Sequence, residues 1–327
     1  MPQTFRDVFA CHLYMLYSLM FLLESQQGGD GKVQESPDRQ ACVRAMALAA
    51  QTMADCRNTL WKRGVPDEAV VMLPCRIAYP LLERATGVIA RKASCGDIAL
   101  QILAVTVDST DLVLSTVTAA LMDLMHSYEH MAPLTAELCG MVSESPVNRL
   151  AVELIREMGR LDGSDAKANG VKNVAPFLNH LAATRPRLLL QHLSHILPHL
   201  QAESYNLRSA IVQTVTCILE YLCRKQCESD AVALDGSSVT TSQEGTADDI
   251  SHHSDAADVK SRDALFDILA ERVYDVSSYT RAATLKAWIS MTSSGTLPKD
   301  RLLPVTKIAI DRLQDKTVVV RKQAMQV

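Results

Sequence analysis

Residues 262–327 contain one sequence pattern twice, and the second copy lies 40 residues after the first. The matched positions are Arg272 with Arg312, Asp275 with Asp315, Arg281 with Arg321, Leu265 with Val305, Ile268 with Ile308, Val273 with Leu313, and Leu285 with Met325. In each copy the apolar residues before the Asp recur three to five residues apart, as on one face of a helix. A second helical stripe begins near the last Arg. Each copy therefore predicts a hairpin of two helices.

A period near 40 residues with two helices per unit is typical of helical solenoids, and the Asp-x5-Arg spacing at the turn resembles the HEAT repeat. The short Asp side chain can accept hydrogen bonds from the free N–H groups that open the second helix. We predict that Asp275, Arg281, Asp315 and Arg321 are structural residues that fix the repeat turns. The predicted fold class is all-α, a HEAT-type helical-repeat solenoid.

The composition agrees with packed helices, because glycine, proline and aromatic residues are sparse and no alternating strand pattern stands out. Helical periodicity continues through most of the chain, for example over residues 39–63 and, with a break expected at Pro74, over 68–86. Asp67 is placed to cap that second helix. The nine cysteines are an odd number without a CxxC pair, which favours a reducing compartment where thiols act as core residues.

The repeats and the change in composition predict four regions. They are a helical amino-terminal domain (1–145), HEAT-like repeats (146–225), an acidic disordered insertion (226–259), and HEAT repeats truncated at Val327 (260–327). The insertion carries eight acidic residues and no Lys or Arg, with few large apolar side chains to offset its ordering entropy. Its Ser and Thr residues are candidate phosphorylation sites, and a tolerated loop without a role is the alternative. Because Val327 interrupts a second helix, we expect a longer protein.

The apolar run from Val8 to Leu23 could suggest a membrane span or a signal peptide. It is shorter than the roughly 20 residues that a membrane span needs, contains His12 and Ser18, and lacks a small-residue cleavage site. We therefore predict a buried helix here, and no membrane partner.

The acidic insertion leaves the rest of the chain net basic, and the clearest repeats are basic as well. The residues that could meet phosphates or DNA on the last repeat are Lys299, Arg301, Lys307, Arg312, Lys316 and Lys322. The alternative is a solvated helical face on which some of these residues form ion pairs.

Three groups of side chains could in principle carry metal chemistry. His126 and His130 with Glu129 fit H-x-x-E-H, the inverted zinc-protease motif, but no second element of that motif is present. The histidines at 192, 195 and 199 share a helical face interleaved with leucines, and Cys223 and Cys227 precede His252 and His253 across the insertion. Each is better explained as a structural feature, so we predict no enzyme activity, no metal site and no cofactor.

Four stretches together resemble the amino-terminal region of the condensin complex subunit 1 family. They are LWKRGVPDEAVVMLPCRIAY (60–79), NRLAVELIREMGRL (148–161), GVKNVAPFLNHLAATRPRLLLQHLSHILPHLQAESYNLRSAIV (170–212), and RDALFDILAERVYDVSSYTRAATLKAWISM followed by RLQDKTVVVRKQAMQ. The opening HLYMLYSLMFLLE is similar as well. The resemblance covers nearly the whole chain except residues 26–38 and the insertion.

This resemblance implies a non-catalytic HEAT-repeat scaffold that binds the condensin kleisin subunit, the heads of the SMC ATPase heterodimer and the other HEAT subunit. It implies a role in mitotic chromosome condensation, with contact to DNA or chromatin, in the nucleus and on mitotic chromosomes beside a cytoplasmic pool. The alternatives are the condensin II counterpart, or a HEAT-repeat transport receptor or phosphatase scaffold. The family offers no catalytic residues to carry over.

Overall fold

The computed structural model describes residues 3–25, 37–61, 67–88, 91, 95–143, 148–161, 168–235 and 248–327. Within these ranges the secondary structure is helical and contains no strand. The α-helices are α1 Gln3–Ser25, α2 Pro37–Asp55, α3 Arg57–Leu60, α4 Glu68–Glu83, α5 Gly96–Ser109, α6 Leu114–Ser127, α7 Met131–Met141, α8 Arg149–Gly159, α9 Ala168–Thr184, α10 Pro186–His192, α11 Tyr205–Asp235, α12 Asp248–Arg272, α13 Ser278–Ser293, α14 Lys299–Arg312 and α15 Val318–Ala324. The predicted all-α, helical-repeat class is confirmed.

The chain divides into two compact units. Unit 1 comprises Met1–Arg160 with Asn169–His180, and unit 2 comprises Leu161–Ala168 with Leu181–Val327. In unit 1, α1 packs on α2 and α4, and α5 packs against α2, α4 and α7. Helix α6 then contacts α7 and α8. The core of unit 1 is therefore built by helices that pack layer on layer, as periodic apolar faces require.

Helix α4 corrects one prediction, because it continues through both Pro74 and Pro80 to Glu83. The expected break at Pro74 is wrong. Pro74 is buried, and the apolar burial along α4, which packs against α5, offsets the roughly 3 kcal/mol that an interior proline costs a helix. The predicted cap is confirmed, since the Asp67 side chain accepts a hydrogen bond from the N–H of Ala69 at 3.1 Å.

Unit 2 shows the repeat architecture most clearly. Helices α12 and α13 form one hairpin and α14 and α15 form the next, as the 40-residue repeat predicted. The second helices of successive hairpins contact each other, α11 with α13 and α13 with α15. In the core, the rings of Phe266 and Trp288 stack with centroids 5.9 Å apart and bring α12 against α13.

The region around the acidic insertion is more helical at its edges than the sequence predicted. Helix α11 extends to Asp235, and α12 begins at Asp248. Lys225 on α11 and Asp258 on α12 form an ion pair of 2.6 Å, so the two helices lie side by side at this point. Residues 236–247 of the predicted insertion lie outside the described residues. The four-region division of the chain stays a prediction.

Helix α1 also differs from its prediction. It is longer than the apolar run and is buried at Leu13 and Met20, where it faces α2 and α4. Its opposite side is exposed at Val8, Met15 and Leu19, so the prediction of a buried helix is wrong for that side. In the described part of the chain, no helix is both long and apolar enough to cross a membrane.

All nine cysteines lie in the described ranges, and none of them forms a disulfide. Five of them are buried, which agrees with their predicted use as core residues. Burial raises the pKa of the Cys75 thiol to about 12, so this thiol stays protonated at neutral pH.

Candidate functional site

The turns of the two clearest repeats are built in the same way. The Asp275 carboxylate accepts a hydrogen bond from the N–H of Ser277 at 2.8 Å, and Asp315 accepts one from Thr317 at 2.9 Å. Ser277 then caps α13, because its hydroxyl accepts a hydrogen bond from the N–H of Tyr279 at 3.2 Å. Each Asp thus orders the two residues that lead into the second helix.

Arg281 connects one turn to the next. Its Nη1 donates to the carbonyl oxygens of Asp275 and Val276 in its own turn, at 2.9 and 3.0 Å. Its Nε and Nη2 donate to both carboxylate oxygens of Asp315, at 2.8 and 2.9 Å. The guanidinium therefore makes a bidentate ion pair with the following repeat, in the geometry that favours Arg over Lys.

Arg208 repeats this arrangement one hairpin earlier. Its Nη1 donates to the carbonyl oxygens of Ala202 and Glu203, the latter at 2.9 Å, and its Nε and Nη2 donate to the Asp275 carboxylate at 3.0 Å each. We call the row formed by Arg208, Asp275, Arg281 and Asp315 the Asp–Arg ladder. In the sequence, Arg208 corresponds to Arg281 once the insertion is removed, but the repeat pattern does not indicate that each Arg pairs with the Asp of the next repeat.

Arg321 occupies the corresponding position in the last hairpin. Its Nη1 donates to the carbonyl oxygens of Asp315 and Lys316, at 2.7 and 3.2 Å. Among the described residues, no carboxylate pairs with this guanidinium. Within the part of the chain that the structure describes, Arg321 therefore contacts only its own turn.

The ladder is largely removed from solvent. The side chains of Arg281 and Asp315 are 6% and 4% exposed, and those of Arg208 and Asp275 are 11% and 4% exposed. Burial alone would raise the pKa of the Asp315 carboxyl, but the hydrogen bonds from Arg281 and Thr317 and the charges of Arg281 and Arg312 outweigh it. The pKa of Asp315 is therefore held below its ordinary value. Asp315 is therefore ionised at neutral pH, and its negative charge is already paired with the Arg281 guanidinium.

The predicted phosphate-facing set divides into two groups. Arg301 forms ion pairs with Asp263 and Asp267, at 3.2 and 3.3 Å, and its guanidinium lies 5.2 Å from the ring centroid of Phe266. Arg312 lies 3.7 Å from Asp315 and 4.7 Å above the ring of Tyr274. Both arginines are therefore engaged in packing α14 onto the preceding hairpin.

The four lysines of that set are placed differently. All are exposed, and within the described ranges none of them forms an ion pair. They are Lys299, Lys307, Lys316 and Lys322. An exposed ammonium without an intramolecular partner can bind a phosphate oxygen without giving up an existing contact. The four lysines are therefore the members of the predicted set whose charges are not engaged within the described residues, and the anion-binding role of the set stays a prediction.

The histidines of the H-x-x-E-H motif each contact a backbone carbonyl. The Nδ1 of His126 lies 2.7 Å from the carbonyl oxygen of Met122, and the Nε2 of His130 lies 3.0 Å from that of Leu82. Among the described residues, no group of three or more His, Cys, Asp or Glu side chains has the geometry of a metal site. The rings of His192 and His195 stack on each other, 6.2 Å apart.

Several known proteins similar to this chain are condensin subunits. Condensin complex subunit 1 of Xenopus laevis is 26% identical over 88% of this chain, and that of Homo sapiens is 25% identical over 93%. This chain resembles condensin subunit 1. The plant relative, the condensin-1 complex subunit CAP-D2 of Arabidopsis thaliana, is 26% identical over 86% of the chain. The predicted resemblance to the condensin subunit 1 family is confirmed.

The condensin subunit 1 relatives are much longer than this chain, which spans about a fifth of their length. No protein-family model matches the chain. The similarity therefore extends over nearly all of the residues of this chain, while most of each relative lies outside the comparison.

Proposed function

We propose that this chain acts as a non-catalytic scaffold subunit of a condensin complex, where it binds the kleisin subunit and the heads of the SMC ATPase pair. The supporting observation is the similarity of 86–93% of the chain to condensin subunit 1 of two vertebrates and a plant. Helical repeats suit this role, because stacked hairpins present extended surfaces to protein partners.

The proposal includes a role in mitotic chromosome condensation in the nucleus and on mitotic chromosomes, with a cytoplasmic pool. We further propose that the four exposed lysines of the last hairpin contact DNA or chromatin. The other HEAT subunit of the complex is a further proposed partner. No covalent chemistry is assigned to the chain in this role.

The test is purification of the tagged full-length protein from its own cells. We expect a kleisin, an SMC heterodimer and a second HEAT-repeat subunit to co-purify in equal amounts. Assembly of a complete condensin I in cells that lack this polypeptide would contradict the proposal. Recovery of nuclear-transport cargo or a phosphatase catalytic subunit instead would assign the chain to another HEAT-repeat class, and recovery with the condensin II kleisin would assign it to condensin II.

A further inference from the structure

Arg321 has the same setting as Arg208 and Arg281 but only half of their contacts. In each of the three, Nη1 donates to two carbonyl oxygens of the turn that precedes its own helix. In Arg208 and Arg281, Nε and Nη2 also donate to the carboxylate of the next hairpin. Among the described residues, nothing accepts a hydrogen bond from Nε and Nη2 of Arg321. The last rung of the Asp–Arg ladder is therefore incomplete.

The geometry of the guanidinium specifies the group that would complete this rung. Because the guanidinium is planar and rigid, fixing Nη1 on the turn also fixes the direction of the edge formed by Nε and Nη2. In Arg281 that edge contacts the two carboxylate oxygens of Asp315, at 2.8 and 2.9 Å. The same edge of Arg321 offers two parallel N–H donors, which match a carboxylate. The missing partner is therefore an Asp or Glu side chain.

The apolar positions of the last hairpin are uncovered as well. Leu285 and Val273 are each 0% exposed, in a hairpin whose second helix α13 packs between α11 and α15. The matched residues Met325 and Leu313 are 77% and 41% exposed, in a hairpin whose second helix α15 packs on α13 and α14. Met325 follows Arg321 by four residues and so lies on the same side of the helix. We call this side, formed by Arg321 and Met325, the outer face.

The two completed rungs identify the element that supplies the carboxylate. Asp275 and Asp315 both lie at the turn between two helices, and each also accepts a hydrogen bond from a backbone N–H of its own turn. The donors are Ser277 and Thr317, at 2.8 and 2.9 Å. This second contact holds the carboxylate in place for the Arg of the preceding hairpin. The occupant of the outer face is therefore the turn of a helical hairpin, with an Asp in the ladder position.

The described chain has no free ladder carboxylate that a second copy could offer. Asp275 and Asp315 are paired with Arg208 and Arg281, and both Asp side chains are 4% exposed. In each completed rung the Asp belongs to the hairpin that follows the Arg in the same chain. The condensin subunit 1 relatives are also about five times as long as this chain, so their lengths leave room for further hairpins. The occupant that fits is a following hairpin of the same polypeptide.

We propose that a further helical hairpin of the full-length polypeptide covers the outer face, and that its turn carries an Asp whose carboxylate pairs with Nε and Nη2 of Arg321. Arg281 and Asp315 are 34 residues apart, so the expected Asp follows Arg321 by about 34 residues. In the 327-residue chain this hairpin is missing, and Arg321 there has its turn contacts alone. The inference does not depend on the proposed condensin role.

The first test maps what lies on the outer face. The photo-cross-linking residue p-benzoylphenylalanine replaces Met325 in the purified full-length protein, and the cross-linked monomer is digested and sequenced by mass spectrometry. The control carries it in place of Val276, which is 93% exposed in the preceding turn. We expect position 325 to cross-link to the segment that contains the predicted Asp, and position 276 not to reach that segment.

The proposal is overturned if position 325 cross-links to a second copy, to another polypeptide, to described residues alone, or to nothing. It is equally overturned if the full-length polypeptide has no helical hairpin with an Asp at this spacing after Val327.

The second test measures the ion pair with a double-mutant cycle in the full-length protein. Arg321→Met and replacement of the predicted Asp by Asn should each speed amide hydrogen exchange of α15 at least tenfold. The double variant should exchange no faster than the faster single variant, because both changes remove one interaction. The same cycle on Arg281 and Asp315, read out at α13, is the positive control, and unchanged exchange in unit 1 shows that the variants fold. Independent, multiplying effects of the two changes would contradict the pair.

These results are separate from the test of the condensin role. A cross-link to the predicted hairpin without co-purification of a kleisin supports the completed ladder and counts against the condensin assignment. Co-purification of a condensin complex without that cross-link has the opposite meaning.

Discussion

Arg281 shows how one side chain can hold two repeats together. Replacing Arg281 by Met removes four hydrogen bonds and leaves the Asp315 carboxylate buried without its bidentate partner. We expect the free energy of unfolding to fall by about 3 kcal/mol or more, measured by urea denaturation at neutral pH.

The matched control for this variant is Arg321→Met. Arg321 makes the same contacts to its own turn but no bidentate pair within the described ranges, so its replacement should cost about 1 kcal/mol. Equal losses for the two variants would show that the carboxylate pair contributes nothing and that the turn contacts alone matter.

The charge of Asp315 makes part of the stability depend on pH. Because its pKa in the folded chain is lower than in the unfolded chain, its ionised form favours the folded state. This contribution is fully present above about pH 5 and is lost as the pH falls through the ordinary Asp value of about 3.9 towards the folded value.

The variant Asp315→Asn lacks this contribution at every pH. We therefore expect the difference in unfolding free energy between wild type and Asp315→Asn to be largest near neutral pH and to shrink between about pH 5 and 3. Denaturation midpoints measured across that range check the prediction. A gap that stays constant with pH would contradict the account of the ion pair.

The junction between α7 and α8 illustrates stabilisation at the level of whole helices. Asn148 is 2% exposed and caps α8, since its Oδ1 accepts a hydrogen bond from the N–H of Ala151 at 3.0 Å. Its Nδ2 donates to the carbonyl oxygens of Cys139 and Val142 at the end of α7. One amide therefore satisfies the end of one helix and the start of the next.

Replacing Asn148 by Ala should cost about 2–3 kcal/mol of unfolding free energy, because the cap is lost and buried carbonyl groups lose their donor. The control is Asp67→Ala, which removes an exposed cap from α4 and should cost about 1 kcal/mol. Thermal or urea unfolding of both variants measures the two losses of unfolding free energy. A cost for Asn148→Ala no greater than that of the control would mean that the link to α7 is not stabilising.

The helices differ in how far the sequence could predict them. The hairpins of residues 262–327 follow from the matched positions, because a repeat of Asp275, Arg281 and the apolar stripes leaves few other structures. Helix α1 was predicted, but its exposed side was not, since periodicity shows which residues share a face and not whether another element covers it. The break predicted at Pro74 is wrong because the packing of α4 outweighs the preference of proline against the interior of a helix.

The candidate site shows a similar limit. The sequence identified the residues of the Asp–Arg ladder but not how they pair. A linear pattern does not show that Arg281 reaches the carboxylate of the next repeat. It also grouped Arg301 with Lys316, whereas Arg301 forms ion pairs with Asp263, Asp267 and Asp300 and Lys316 forms none within the described residues. Formal charge alone cannot distinguish an engaged guanidinium from an exposed ammonium.

At the scale of the whole molecule, the proposed contact with DNA predicts a specific salt dependence. For the double variant Lys316→Gln, Lys322→Gln, we expect weaker binding to a DNA duplex. The slope of log K against log salt should decrease in magnitude by roughly 2, because two fewer counterions are released. Fluorescence anisotropy between about 50 and 200 mM salt measures this slope.

The control is Arg301→Gln, which removes one positive charge from α14 in the same hairpin. Because Arg301 already pairs with Asp263 and Asp267, its loss should leave the salt slope unchanged while lowering the stability of the hairpin. If Arg301→Gln alters the slope as much as a lysine variant does, then the division of the basic residues into engaged and available groups is wrong.

The Asp–Arg ladder has a mechanical consequence for unit 2. Each guanidinium is bonded to its own turn and to the next one, so two neighbouring turns cannot separate without breaking a buried ion pair. The opposite ends of the same hairpins are joined by partly exposed ion pairs, such as those of Arg301 with Asp263 and Asp267, which hold two elements together less firmly than a buried bidentate pair does. We therefore expect the distances between neighbouring turns of unit 2 to change least when the repeats bend. Bending should change mainly the spacing of the hairpins at the opposite edge.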